Sequence, residues 1–281
     1  MVKSTLEKES SKTLLEDEKQ RARDQWGQDP CGAVHGGEHG FGTREFFEAV
    51  ERHRYLEYAP WMPEVMGFSQ FPGAHLLEVG CGMGTDLLQF ARGGAICTGM
   101  DLTPRSIAIT RHHFSLYGER ADFLIGDGER LPFENDSLDV VYSNGVLHHT
   151  PDTAGAIREI RRVLKPNGIA KVMIYHKTSL NYWVDVMLKR GIIGGEFLRG
   201  HSAQDVMSRW VEYSEHGGRP LVKVYTSRQA RELFKDFNEI KIDIEQLLRG
   251  ELPIVGSLIP EAFLKAMRRS FGWNLIITAV K

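Results

Sequence analysis

Three glycines alternate with other residues in the stretch EVGCGMGTD, residues 78–86, directly after an apolar run. Glycines at this density indicate a tight turn that brings a ligand close to the backbone. The dinucleotide fingerprint G-x-G-x-x-G, counted from Gly80, requires a third glycine at position 85, where the chain has Thr85. A P-loop requires a lysine after the glycines, and none follows. The stretch therefore predicts a ligand-binding turn without the features that hold a pyrophosphate.

Carboxylates accompany this turn at three places in the sequence. Asp101 lies 21 residues after Gly80, where a carboxylate can accept two hydrogen bonds from ribose hydroxyls. Each such bond contributes about 1.5–3 kcal/mol when it is charge-assisted. Asp127 ends the next apolar run and can accept from an exocyclic amine such as adenine N6. Together with Glu78, these side chains predict a cationic adenosine compound without phosphate as the ligand.

The segments that position these residues alternate between strand and helix. The periodicity predicts strands at 75–80, 95–101, 121–127, 138–143 and 169–176, and helices at 84–92, 104–116 and 153–164. Such alternation predicts an α/β fold, in which helices cover both faces of a mostly parallel sheet. Ligands of these sheets bind outside the carboxyl ends of the strands, where the sequence places Gly80, Asp101, Asp127 and Ser143.

The rest of the chain divides by composition. Residues 1–25 form a polar leader, and residues 26–71 hold nine of the 27 aromatic residues, which predicts an aromatic-rich N-terminal lid. Residues 72–281 are predicted to form the core domain, with an insertion at about 177–226. The later elements predicted from the pattern are a helix at 227–237 and strands at 240–248 and 273–281.

Five motifs, in this order, resemble those of the class I S-adenosylmethionine-dependent methyltransferases: LLEVGCGMGTD, TGMDLTP, IGDGERLPF, SNGVLHHTPD and RVLKPNG. The chain is most similar to the small-molecule branch that includes the ubiquinone and menaquinone methyltransferases, and the resemblance covers about residues 74–176. It implies a Rossmann-like three-layer sandwich with an antiparallel last strand and helical cover segments at the N-terminus and in the insertion. It also implies transfer of a methyl group from S-adenosyl-L-methionine to a small-molecule acceptor by in-line displacement.

The resemblance implies eleven cofactor-binding residues, which are Glu78, Gly80, Cys81, Gly82, Asp101, Leu102, Asp127, Gly128, Glu129, Ser143 and Asn144. In this set the glycine loop lines the methionine part of the cofactor, Asp101 holds the ribose, and Leu102 packs on the adenine. Asp127 faces the adenine amine, and the next two residues offer backbone contacts. The residues at 143 and 144 lie near the methionine amino group and the methyl group.

Histidines supply the candidates for a general base, which is needed only where the acceptor loses a proton. His148 and His149 follow the fourth predicted strand, and His176 follows the fifth. Imidazole titrates in the range that this chemistry requires. We predict His148 and His149 as the catalytic candidates, with the alternative that both cap a loop and contact the next helix.

The acceptor pocket of this fold class is usually built from segments outside the core sheet, here the lid and the insertion. Aromatic residues that can line it, or pack in the core instead, are Trp26, Tyr55, Trp61, Trp183, Trp210 and Tyr213. The lid also contains His35-Gly36-Gly37-Glu38-His39, which matches the H-x-x-E-H pattern of some zinc peptidases. Its glycines favour a loop over the helix that this motif requires, so no metal site is predicted.

Bulk properties limit the alternatives. The net charge of −2 gives no electrostatic footprint for nucleic acid, and no apolar run is long enough to span a membrane. Three cysteines and an N-terminus without a signal-peptide pattern predict a cytoplasmic protein. Two other functions stay open, a nicotinamide-dependent oxidoreductase on a related sheet and a cofactor-binding partner protein without an acceptor site. The acceptor, the methylated atom type and the oligomeric state also stay open.

Overall fold

The computed structural model describes residues 2–211, 219–252 and 258–281, with side chains from residue 15 onward. Its centre is a seven-stranded sheet with the order β3-β2-β1-β4-β5-β7-β6. The strands are β1 His75–Val79, β2 Ile96–Asp101, β3 Asp122–Ile125, β4 Leu138–Asn144, β5 Leu164–Tyr175, β6 Glu239–Glu245 and β7 Asn274–Val280. Neighbours pair in parallel except where β7 pairs with β5 and β6. The predicted α/β class with an antiparallel last strand is confirmed.

Helices connect these strands and precede them. The α-helices are α1 Val2–Gln28, α2 Arg44–Arg52, α3 Thr85–Arg92, α4 Pro104–Tyr117, α5 Thr153–Val163, α6 Ala203–Trp210, α7 Ser227–Leu233 and α8 Glu261–Phe271. Wider π-helical segments are His53–Tyr58, Pro63–Gly67 and Asn181–Ile193, and 3-10 turns are Ala33–Gly36, Leu147–His149 and Arg249–Glu251. Local signals explain the start of α4, because Pro104 occupies its first position and the hydroxyl of Thr103 accepts from Ser106 N.

Alternate residues of β1 enter two separate hydrophobic cores. Leu77 packs in one core with Ile157 of α5, and Leu76 packs in the other with Leu88 of α3. Successive side chains of a strand point to opposite faces, so both faces of the sheet are covered by helices. This double burial explains why the strands read as continuous apolar runs in the sequence.

The N-terminal helix is packed onto the rest of the fold along its second half. It continues past residue 25, the predicted end of the polar leader, and Ala22 and Gln25 on it are buried. Arg105 of α4 donates from Nη1 to the carbonyls of the last two residues of α1, at 3.0 and 3.1 Å, and so closes its carboxyl end. The boundaries drawn at 25 and 71 stay predictions.

Two hydrogen bonds fix the aromatic-rich segment to the sheet. Lys171 of β5 donates from Nζ to the carbonyl of Val65 at 2.7 Å. Trp61 donates from Nε1 to Oε1 of Gln246, which directly follows β6, at 2.9 Å. The segment before β1 therefore lies across the strands contributed by the second half of the chain.

Some elements differ from their predicted boundaries. β5 begins earlier than predicted because Leu164 already pairs with Leu138 of β4. The pairing is then interrupted by a bulge, in which Asn167 has a φ of 65°, and resumes at Ile169. The helix predicted at 227–237 ends at Leu233, and the two phenylalanines of its predicted end pack in the core. The strand predicted at 240–248 ends at residue 245, and the pattern gave no prediction for α8.

Candidate functional site

A cavity of about 260 Å³ lies at the sheet edge where the parallel strands end. It extends from Asp127, beyond β3, to Asn274 at the start of β7, and residues at the ends of β2, β1, β4 and β5 line it in between. Six strands at about 4.8 Å spacing span about 24 Å. Because β7 is antiparallel, its first residue lies at the same edge as the carboxyl ends of its neighbours. This is the edge at which parallel sheets bind ligands.

The glycine loop between β1 and α3 forms the floor of the cavity. Gly80 and Gly84 have φ angles of 78° and 77°, and a Cβ there would lie 2.3 Å from Val146 Cγ2 and 2.5 Å from Thr110 Cγ2. At Gly82, with a φ of 54°, no heavy atom lies within 4 Å of the place a Cβ would take. Two of the glycines are therefore required by protein packing, whereas the middle one leaves space on the cavity side for a ligand.

Asp101 fastens this loop to the end of β2. Its Oδ2 accepts from Gly82 N at 3.0 Å, and its Oδ1 accepts from the backbone N and the hydroxyl of Thr103 at 2.9 and 3.0 Å. Burial raises the pKa of Asp101, and the bonds from Thr103 and Gly82 oppose that rise. The carboxylate that the resemblance assigns to the ribose is thus already oriented by the protein.

Asp127 and Glu129 form an acidic end to the cavity, where Lys19 of α1 meets both of them. Lys19 Nζ lies 2.6 Å from Asp127 Oδ2 and 2.6 Å from Glu129 Oε2. Burial lowers the pKa of Lys19, but the two carboxylates outweigh that effect and raise its pKa above the usual value. The spacing of Lys19, Ala22 and Trp26, which all line the cavity, is that of one face of a helix.

Asp86, the last residue of the quoted stretch, is the centre of a buried polar cluster. Its Oδ1 accepts from Arg54 Nε at 2.7 Å and from Tyr55 OH at 2.6 Å. Its Oδ2 accepts from Arg54 Nη2, Tyr142 OH and Asn144 Nδ2 at 2.6, 2.8 and 3.1 Å. Burial alone would raise the pKa of Asp86, but Arg54 and the hydroxyl donors hold it below its usual value. The sequence patterns did not indicate this cluster, because Arg54 lies in the N-terminal segment.

Three buried oxygen atoms of cavity residues have no hydrogen-bond partner in the described part of the chain. Two of them, Oε2 of Glu78 and Oδ1 of Asn144, belong to β1 and β4, and the third is Oδ1 of Asn274 on β7. Burial and the nearby charge of Asp86 raise the pKa of Glu78 well above its usual value. A group that donates several hydrogen bonds and carries positive charge is the kind of partner that the oxygens of Glu78 and Asn144 require. A primary ammonium has these properties, so the site fits the amino group of the predicted cofactor.

The two candidate bases differ in position. His149 lines the cavity, and its Nδ1 donates to the carbonyl of Leu221 at 2.6 Å, so Nε2 carries the lone pair in the neutral ring. His148 is fully buried against Tyr175, with ring centroids 3.9 Å apart, and does not line the cavity. Burial lowers the pKa of His148 well below its usual value. The geometry favours His149 over His148, and a catalytic role for either stays a prediction.

Ten of the eleven predicted cofactor residues line the cavity, and Ser143 is the exception. Ser143 is fully buried and donates from Oγ to the carbonyl of Val79 at 3.0 Å, a bond that ties β4 to β1. His176 also lies away from the cavity, with its Nδ1 donating to the carbonyl of Gly272 at 2.9 Å and its Nε2 bonded to the hydroxyl of Thr178. Both are held by protein groups, and a role in cofactor binding or base catalysis stays a prediction.

The aromatic residues proposed for the acceptor pocket separate into three groups. Trp26 and Trp61 line the cavity, and Tyr55 instead bonds to Asp86. Trp183 and Trp210 lie outside the cavity, and Tyr213 lies outside the described residues. The sequence did not point to several residues that do line it, which are Tyr58, Met62, Met173, Tyr175 and Asn274.

Two other features bear on the predicted absences. Within residues 2–211, 219–252 and 258–281, no group of three or more His, Cys, Asp or Glu side chains is arranged to hold a metal ion. The histidines of the H-x-x-E-H pattern lie in or after a 3-10 turn, Ala33–Gly36, rather than on an α-helix. None of the helices in the described ranges has the length and apolarity to cross a membrane.

Residues 77–172 match a family model described as a methyltransferase domain. Among curated relatives, sterol 4-C-methyltransferase strm-1 of Caenorhabditis elegans is 34% identical over 38% of this chain and 32% of its own length. A probable phthiotriol/phenolphthiotriol dimycocerosates methyltransferase 2 of Mycobacterium ulcerans is 34% identical over 49% and 56%. The ubiquinone biosynthesis O-methyltransferase of Azorhizobium caulinodans is 29% identical over 45% and 47%. The chain thus spans between a third and just over half of the curated relatives it matches.

Solved structures share the fold over more of the chain. An S-adenosylmethionine-dependent methyltransferase from Methanosarcina mazei superposes with a TM-score of 0.54 at 17% identity, covering 77% of this chain and 96% of that one. The [4+2]-cyclase SpnF superposes with a TM-score of 0.52 at 22% identity, covering 93% and 91%. Because proteins described by different reactions share this fold, the reaction has to be argued from the site.

Proposed function

We propose, from the match of residues 77–172 to a methyltransferase domain, that this chain transfers a methyl group from S-adenosyl-L-methionine to a small-molecule acceptor. The observation that carries the proposal is a pair of buried oxygens beside the glycine loop, Glu78 Oε2 and Asn144 Oδ1, that have no hydrogen-bond partner among the residues the structure describes. A dinucleotide offers no ammonium group to such a pair. The amino group of a methionine does.

Different lining residues bind different parts of this cofactor in the proposal. Asp101 receives the ribose hydroxyls, Asp127 receives the adenine amine, and Gly82 leaves room for the ligand beside the backbone. The bound cofactor supplies a methyl group that is already electrophilic. The protein therefore needs mainly to place an acceptor in line with it and to exclude water, and placement of this kind can contribute about 7–11 kcal/mol to lowering the barrier.

Trp26 contributes to the exclusion of water, and His149 is the residue proposed to accept a proton from the acceptor. Trp26 of α1 lies over His149, with ring centroids 5.7 Å apart, and covers the cavity from the N-terminal side. His149 lines the cavity below Trp26, and its Nδ1 donates to the carbonyl of Leu221. An acceptor that loses a proton during methylation would give it to this imidazole.

A nicotinamide-dependent oxidoreductase is the competing function. It would need a loop that tolerates a pyrophosphate, whereas the position of the third fingerprint glycine is Thr85 and several carboxylates line the cavity.

The net charge of −2 supports a small molecule over nucleic acid as the acceptor. Cys81 and Cys97 form no disulfide, which accords with the cytoplasmic location that forms part of this proposal.

Titration calorimetry with S-adenosylhomocysteine and, separately, with NADH tests the proposal. We expect S-adenosylhomocysteine to bind and NADH to give no heat of binding at the same concentrations. Binding of NADH without binding of S-adenosylhomocysteine would overturn the assignment. A protein that binds S-adenosylhomocysteine but methylates nothing would instead support a cofactor-binding partner protein.

A further inference from the structure

The cavity continues beyond the residues assigned to the cofactor. Those residues come from the ends of β1, β2, β3 and β4, whereas the sheet continues at the same edge into β5 and β7. Tyr175 and Asn274, which line this second half, are register partners in the β5–β7 pair. Trp61 and Met62 line the cavity from the N-terminal segment. We call this part, defined by Trp61, Met62, Met173, Tyr175 and Asn274, the acceptor half.

The acceptor half is apolar and contains no charged side chain. The carboxylates of the cavity, Glu78, Asp86, Asp101, Asp127 and Glu129, all come from residues at or beyond the ends of β1, β2 and β3 or from the start of α3. Tyr175 stacks on Trp273 with ring centroids 4.4 Å apart, which fixes an aromatic wall. Flat apolar surfaces of this kind accommodate a ring better than a flexible polar chain.

Asn274 is the polar exception in this half. It is 3% exposed, and its Oδ1 has no hydrogen-bond partner in the described residues. A neighbouring amide shows the contrast, because Gln246 donates to the carbonyl of Tyr58 at 3.0 Å and accepts from Trp61 at 2.9 Å. The Gln246 amide therefore has a structural use, whereas the Asn274 oxygen is a buried acceptor without one, and such groups require an explanation.

We propose that the acceptor of this site is a neutral ring compound whose hydroxyl group donates a hydrogen bond to Asn274 Oδ1. The proposal rests on the proposed methyltransferase function and names the class of its acceptor. A neutral donor is favoured because a cation would find no carboxylate in the acceptor half. His149 lies beside the same aromatic wall, with its ring centroid 6.3 Å from that of Tyr175. As the oxygen–methyl bond forms and the sulfur–methyl bond breaks, the hydroxyl proton leaves its hydrogen bond to Asn274 and passes to the His149 imidazole.

The experiment compares two probes that differ in one group, 2-naphthol and 2-methoxynaphthalene. Each is titrated by calorimetry into the full chain saturated with S-adenosylhomocysteine. We expect wild type to bind 2-naphthol at least tenfold more tightly than the methyl ether, because only 2-naphthol can donate to Asn274. In the Asn274→Leu variant we expect the ratio to fall to within threefold.

Two further variants keep the result interpretable. Asn274→Ala is measured in parallel in case leucine disturbs the start of β7, and S-adenosylhomocysteine affinity reports whether each variant is folded. Asn238→Leu, at an exposed position outside the cavity, is the matched control and should keep the wild-type ratio.

The outcomes separate this inference from the function on which it rests. If wild type does not bind S-adenosylhomocysteine, the proposed function and the acceptor class both fail. If it binds S-adenosylhomocysteine but binds neither naphthalene probe, or binds both equally, the acceptor class alone is wrong. A folded Asn274 variant that keeps the tenfold preference would also overturn the assignment of Asn274.

Discussion

Lys19 and Asp127 form an ion pair of 2.6 Å between residues that are 108 positions apart in the chain. Lys19 lies on α1, and Asp127 follows β3 at the acidic end of the cavity. The side chains are 13% and 31% exposed, so solvent weakens the pair only in part. The pair therefore fastens the N-terminal helix across the place where the adenine of the proposed cofactor would lie.

Replacing Lys19 should loosen this cover. We expect Lys19→Met to raise the dissociation rate constant of S-adenosylhomocysteine about tenfold, which corresponds to about 1.4 kcal/mol. Stopped-flow displacement measures this rate. Arg21→Met is the control, because Arg21 lies on the same helix, is 57% exposed and pairs only with Glu18 among the ion pairs of the described residues. A rate within twofold of wild type for Lys19→Met would show that α1 is not held by this pair.

Asp101 should matter for cofactor affinity both directly and through the loop that it fastens. We expect Asp101→Ala to weaken binding of S-adenosylhomocysteine at least tenfold, about 1.4 kcal/mol, in titration calorimetry. The variant loses the acceptor for Gly82 N as well as the ribose contact. Asp122→Ala, at the exposed start of β3, serves as the control. Unchanged affinity in Asp101→Ala would contradict the placement of the ribose.

The Arg54–Asp86 pair should contribute mainly to stability. Arg54→Met leaves a buried carboxylate without its cation, and we expect a loss of about 3 kcal/mol in the free energy of unfolding. Urea denaturation at pH 7 measures the change. The matched control is Arg92→Met, since Arg92 pairs with Glu51 at partly exposed positions and should cost less than about 1 kcal/mol. Equal losses in the two variants would argue against a special role for burial at Asp86.

His149 should affect turnover rather than cofactor binding. We expect His149→Gln to lower kcat for methylation of 2-naphthol at least 100-fold, which is within the usual range for a general base. Affinity for S-adenosylhomocysteine should stay within twofold of wild type. His112→Gln, at an exposed position on α4, is the control. A kcat within threefold of wild type would show that proton transfer does not depend on His149.

The sequence predicted the part of the site that residues at the ends of the parallel strands form. It missed the part that other segments of the chain contribute. The glycine loop, Asp101 and Asp127 follow predicted strands, and the rule for parallel sheets places strand ends together. Asn274 was missed because that rule concerns the carboxyl ends of strands. Asn274 begins the antiparallel strand β7, and it is the amino end of this strand that lies at the site. The antiparallel direction of this last strand was itself predicted, and combining it with the rule for parallel sheets would have placed Asn274 at the site.

Contacts between distant segments were also beyond the reach of sequence patterns. Arg54 and Lys19 lie in stretches that read as ordinary polar helix surface, and only the packing shows that each meets a carboxylate of the cavity. A weak signal was present for α1, because Lys19, Ala22 and Trp26 share one helical face. The sequence also could not distinguish His148 from His149, which are adjacent residues of the same type. The structure shows that His149 lines the cavity, whereas His148 is fully buried away from it.

Buried His113 should make the stability of the protein depend on pH. It is fully buried against Phe47, with ring centroids 3.9 Å apart, and its Nδ1 donates to the carbonyl of Met83 at 2.9 Å. Its Nε2 has no partner in the described residues, so a second proton there would be buried and unpaired. Burial accordingly lowers the pKa of His113 from 6.5 to about 4.

Because the pKa is lower in the folded state, the unfolded chain binds this proton more readily and acid favours unfolding. The contribution of His113 is therefore complete above about pH 6.5 and is lost as the pH falls toward 4, with about 2 kcal/mol gone by pH 5. Urea denaturation of wild type and His113→Gln at pH 7 and pH 5 tests this, with the exposed His112→Gln as control. The other buried histidines remain in every variant, so the loss between the two pH values should be about 2 kcal/mol smaller in His113→Gln alone. An equal loss in all three proteins would show that His113 does not set the acid sensitivity.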